Sequence, residues 1–113
     1  MTLLVFICNQ PDKLEEILEG FVEIGVTGAT IIDSVGMGRF LSSDVPIFAG
    51  FRSMFHGATV VNKTILSVIS DRAKIDAAYR IIEDVMGTLD DPGRGIFFTI
   101  PLDNVKGLKP ELG

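Results

Sequence analysis

Tryptophan is absent, and cysteine, histidine and tyrosine occur once each, as Cys8, His56 and Tyr79. A single thiol closes no internal disulfide, so stability has to come from a packed core. One thiol and one imidazole also fall short of the four ligands of a Cys/His zinc site within one chain. Cys8 itself reads as a small apolar residue at the end of a buried strand. Basic residues are scarce: ten Lys and Arg stand against fifteen Asp and Glu, a formal charge of −5. Nonspecific nucleic-acid affinity comes mainly from cations that release counterions, so no nucleic-acid partner is expected. The apolar runs LLVFIC near the start and IFFTI near the end are far shorter than the ~20 residues that span a bilayer. Neither a transmembrane helix nor direct membrane insertion is expected. The first segment has no basic n-region and passes at once into NQPDKLEE, which is unlike a signal peptide and points to a cytoplasmic protein.

What is present is a globular composition, 47% apolar and 22% charged over 113 residues, which suits one domain over 1–113 with a single core. Leu3 to Cys8 is a continuous apolar run before a Pro-Asp turn and reads as a strand buried on both faces. Pro11 and Asp12 open a helix whose Leu14, Ile17, Leu18, Phe21 and Ile24 share one side and whose glutamates share the other, with Gly25 as its stop. The β-branched series in Thr27 to Val35 predicts a second strand, and Thr59 to Ile69 a third. Ser70 or Asp71 caps a second helix with Ile75, Ala78, Tyr79, Ile82, Val85 and Met86 on one face, ended by Gly87. Gly95 to Pro101 is a fourth strand, and a polar tail, 102–113, follows.

The order βαββαβ is that of an α+β ferredoxin-like sandwich, an antiparallel sheet with two helices on one face. A sheet wetted on its other face should alternate apolar and polar residues, yet LLVFIC and GIFFTI do not. That face must therefore be covered, most simply by further copies of the chain in a closed ring.

Between strands two and three lies GMGRFLSSDVPIFAGFRSMFHG, Gly36 to Gly57, which has no periodicity of its own but carries Phe40, Ile47, Phe48, Phe51, Met54 and Phe55. Connections in compact domains usually run about 4 to 6 residues, and much longer ones are commonly functional or disordered. Catalytic patterns are missing: no Ser/His/Asp spacing, no Cys/His pair and no GxxxxGK[ST] loop occur. No enzyme is expected, and no catalytic residue. Glycines and arginines do coincide in GMGR, Gly36 to Arg39, and in PGRG, Pro92 to Gly95. Glycine-bearing turns can aim successive N–H groups at an anion, and Arg suits bidentate phosphate contact. Each motif alone is equally an ordinary turn with a solvated arginine. Asp90 and Asp91 are acidic enough to hold a hydrated Mg²⁺ beside a phosphate, or are simply part of a polar loop in the segment 87–95.

Taken in order, these motifs resemble the nitrogen regulatory P-II signalling proteins. LEEILEGFVEIGVTGATIIDSVGMGR follows the family's first helix and second strand, the loop has the family's length, FAG stands where the family has YRG, and PGRGIF where it has GDGKIF. The resemblance implies a homotrimer of ferredoxin-like subunits that binds an adenine nucleotide (AMP, ADP or ATP) in clefts between neighbours. It carries the nucleotide contacts onto Thr30, Gly36, Gly38 and Arg39, onto Gly93, Arg94 and Gly95, and onto Lys106 and Lys109 of a neighbour's tail. It also implies that the long loop, through Phe48, Phe51, Arg52, Met54 and Phe55, docks on a target protein, by family analogy a membrane transporter. The sole tyrosine, Tyr79, lies on a helix, so tyrosine nucleotidylylation of the loop, used by many members, is excluded. Phe40 stands where 2-oxoglutarate-sensing members carry Gln, which argues against that ligand. The other reading is a trimeric protein-interaction module of the same fold without a small-molecule ligand.

Overall fold

The non-alternating run TLLVFIC forms β1 (Thr2–Cys8), an inner strand with a neighbour on either side. A computed structural model describes residues 1–44 and 62–109. After β1, a single 3-10 turn at Pro11–Lys13 leads into α1 (Leu14–Glu23). The chain continues through β2 (Thr30–Ser34), α2 (Met37–Asp44), β3 (Asn62–Ile69), α3 (Arg72–Met86) and β4 (Gly95–Pro101). The sheet order is β2-β3-β1-β4 with every pair antiparallel. This is the expected ferredoxin-like α+β sandwich.

Alternate residues of each strand face opposite sides of the sheet, and the burial follows that rule. Leu4, Phe6 and Cys8 of β1 join Ile65 and Ile69 of β3, Ile17 and Phe21 of α1, and Ile75, Ala78, Ile82 and Met86 of α3 in one core. Leu3, Val5 and Ile7 point the other way. There Val5 lies between Leu66 and Phe98 in the strand register, and Ile32, Ile96, Phe98 and Ile100 are exposed. Helices α1 and α3 thus cover one face, and the other is apolar and largely left bare by the described residues.

Helix ends are set by local chemistry. At the end of α1, the Gly25 N–H donates to the Val22 carbonyl at 3.0 Å and the Val26 N–H to the Phe21 carbonyl at 2.9 Å. With Gly25 at φ 89, this is a Schellman cap, and the buried Val26 supplies its apolar contact. For α3 the cap is Asp71, whose side chain accepts from the Ala73 N–H at 2.9 Å.

Two boundaries differ from the sequence reading, and a third cannot be compared. The stretch after Gly36, read as lacking periodicity, opens with α2, whose first turn is closed by the Phe40 N–H donating to the Gly36 carbonyl at 3.0 Å. Met37, Phe40 and Leu41 have helical spacing, but the helix has only eight residues with Gly38 inside, too short and too costly in propensity to stand out. Its Met37 and Phe40 are exposed instead of joining the core. β2 begins at Thr30 and not at Thr27, because the preceding backbone is engaged by a side chain: the Ser67 hydroxyl donates to the Gly28 carbonyl at 2.6 Å. β3 is described from Asn62, and the expected residues 59–61 lie outside the described ones.

Candidate ligand site

The strand register assembles one end of the sheet. Cys8 pairs with Lys63 on one side and Gly95 on the other, and Ser34 pairs with Asn62. Hence the exit of β2, the start of β3 and the entrance of β4 share an end. At the β2 exit, the Ser34 hydroxyl bonds the Asn62 side-chain oxygen and meets the Thr64 hydroxyl at 2.8 Å. This clasp closes the strand ends just before Gly36, Gly38 and the half-buried Arg39.

The loop before β4 is held from within. Gly87 ends α3 at φ 81, and a Cβ there would collide with the Arg94 guanidinium. Arg94 donates from Nη1 to the Thr88 carbonyl at 3.1 Å, and its Nη2 lies 3.1 Å from an Asp91 carboxylate oxygen. The Arg94 carbonyl accepts from the Asn9 N–H at 3.1 Å, which ties the loop to the end of β1. Asp91 is therefore paired with Arg94, and among the described residues no group of three or more His, Cys, Asp or Glu is arranged to hold a metal ion.

A third feature lies on the bare face. Leu3, Leu66 and Val68 floor a cavity of about 890 Å³, with Gly28 and Thr30 on one wall and Lys109 at its rim. The tail reaches it because the Leu102 N–H donates to the Met1 carbonyl at 3.0 Å, and the chain then turns back so that Leu108 and Lys109 lie over that part of the sheet.

Of the sequence-predicted residues, Thr30 and Lys109 line this one cavity. Gly36, Gly38 and Arg39 lie at the β2 edge, whereas Gly93, Arg94 and Gly95 lie at the β4 edge. Two strands separate those edges, about 14 Å at the usual strand spacing. A single chain does not bring the two glycine loops together. Lys106 is exposed in the tail, and Phe48, Phe51, Arg52, Met54 and Phe55 lie outside the described residues. The cavity floor and the Arg94–Asp91 pair were missed in the sequence; for the floor, the failure of β1 to alternate was the available signal.

The single thiol is not an activated nucleophile. Burial pushes the Cys8 thiol up from its ordinary range, with the Asp12 charge adding to it, and its Sγ–H donates to the Gln10 carbonyl at 3.2 Å. A buried thiol held protonated is inert. The Tyr79 phenol is raised too, by desolvation and then by the nearby Glu83 and Asp90.

The described residues thus form an antiparallel ferredoxin-like α+β sheet with glycine loops at one end and an exposed apolar face. The family follows from comparison: the model of the nitrogen regulatory protein P-II family matches residues 1–111, so the chain belongs to that family. Its members are regulatory signalling proteins. No curated protein matches the chain. Among the described residues, no helix is long and apolar enough to cross a membrane.

Proposed function

We propose that the protein is a P-II-like signalling regulator: three copies bind an adenine nucleotide in the clefts between them, and the loop beginning at Gly36 carries the bound state to a target protein. The observation that supports this reading is the separation of the two glycine loops on opposite sheet edges, combined with the apolar face left bare beside them. A neighbouring copy that covers Ile96, Phe98 and Ile100 brings a second set of edges against the first. Burying a large apolar side chain contributes about 1.5–3 kcal/mol, so the bare face supplies the drive for assembly. In this reading Thr30 and Lys109 shape one wall of a cleft, the glycine turns approach the phosphates, and Arg39 neutralises them. The whole chain then acts as one domain.

Calorimetric titration with AMP, ADP, Mg-ATP and cyclic AMP, with the mass followed by light scattering, tests the proposal. One saturable site per chain in an assembly of three chains is expected. Arg39→Ala should weaken binding about tenfold or more, the usual cost of a lost charge-assisted hydrogen bond. Absence of binding to all four would overturn the nucleotide part. One observation favours the second reading, a trimeric interaction module without a ligand: Arg94 is already satisfied inside its own loop.

A further inference from the structure

We propose that Asp91 is a built-in competitor for Arg94, setting how strong an anion must be before the loop between α3 and β4 accepts it. The proposal rests on the ligand-binding reading above and concerns how that site is regulated. A guanidinium binds a phosphate bidentately in two ways, end-on through Nη1 and Nη2 or side-on through Nε and Nη2. Both modes draw on Nη2, the atom that Asp91 holds at 3.1 Å. The end-on mode also draws on Nη1, which is donating to the Thr88 carbonyl. The guanidinium is further placed by Gly87, whose lack of a Cβ leaves the room it occupies against the end of α3. An arriving phosphate therefore either displaces the Asp91 carboxylate or shares Nη2 with it, and sharing sets like charges side by side.

The pair is suited to yield. The Asp91 side chain is 57% exposed and that of Arg94 30%, and ion pairs of that exposure are weak, so a multiply charged phosphate can replace a single carboxylate. A singly charged or neutral ligand gains less from the exchange. Asp91 thereby favours polyphosphate over weaker anions without contacting the ligand itself.

Calorimetric titration of the wild type, Asp91→Asn and Asp90→Asn with ATP, repeated with inorganic pyrophosphate, tests this. Asp90→Asn is the control, since it removes the same charge one residue away. Asp91→Asn should tighten binding of both probes roughly two- to fivefold, the span that an exposed pair supports, and the gain should shrink as salt is raised. Asp90→Asn should change affinity less. In the absence of ligand, the Arg94 Nε–H resonance should shift in Asp91→Asn and hold its place in Asp90→Asn, with the unfolding midpoint of each variant close to that of the wild type. Equal tightening in both variants would reduce the effect to net charge and overturn the proposal. Weaker binding in Asp91→Asn would overturn it too, making Asp91 a support of the loop. If the wild type binds ATP and Asp91→Asn leaves the affinity unchanged, the competitor is overturned while the nucleotide reading stands. If neither the wild type nor Asp91→Asn binds either probe, both fall.

Discussion

The two faces of the sheet are built from the same strands with nearly the same hydrophobicity, yet the described residues close only one. On the helix side Leu4, Phe6, Cys8, Ile65 and Ile69 are each 0% exposed, while on the other side Phe98 is 40%, Ile100 43% and Ile96 59% exposed. Even the polar residues divide accordingly. Ser67, buried on the helix side, satisfies the Gly28 carbonyl, whereas Ser34, Asn62 and Thr64 bond one another at the margin of the bare face. The hydropathy of a strand reports that both its faces are apolar. It does not report what lies against each of them, and the surplus on the bare face is what the proposed assembly would cover.

The contrast breaks first at its strongest point. Phe6→Ala removes a fully buried ring from the core that the sheet shares with α1 and α3 and should cost about 3–5 kcal/mol, read as a shift in the urea midpoint. A loss below about 1 kcal/mol would mean that the covered face is no better packed than the bare one.

Phe98→Asp tests the opposite face. A carboxylate placed between β1 neighbours on the bare side is tolerated in a lone chain wetted there, but not in an interface where it stays unpaired. Light scattering should show the mass falling to that of one chain while helical circular dichroism is retained. Ile96→Asp, at the more exposed edge position, is the milder version. An unchanged mass in both variants would show that this face is not where the copies meet.

Much of this contrast was legible before the structure. The helix stripes, the Asp71 cap and Gly25 follow from periodicity and capping rules, and the missing alternation in LLVFIC announced a second apolar face. What could not be read is local competition. Nothing in the sequence says that Ser67 will take the Gly28 carbonyl and so shorten β2, because that partner is 39 residues away. Met37, Phe40 and Leu41 carry too short a pattern to reveal α2. In the candidate site, PGRG marked a ligand-type loop, but Arg94 and Asp91 meet through a turn whose path depends on Gly87 and Thr88, and no periodic rule predicts it. The gap between the two glycine loops comes from strand order, which spacing in sequence does not encode.

The smallest expected effect sharpens the contrast at the end of the covered face. Cys8 is fully enclosed there, and burial raises its thiol above the ordinary value. The folded protein therefore holds that proton more tightly than the unfolded chain, whose thiol titrates near pH ~8.5. Stability from this group is complete below that pH and is lost as pH rises toward the folded value. Tyr79 is raised as well and acts in the same direction, so the wild type alone does not isolate the thiol. Comparison with Cys8→Ala does: the variant begins less stable because of the vacated volume, and the gap between the two urea midpoints should narrow as pH is taken from 7 to about 10. A gap that stays constant over that range would mean that water already reaches Cys8 and that the covered face is open at its loop end.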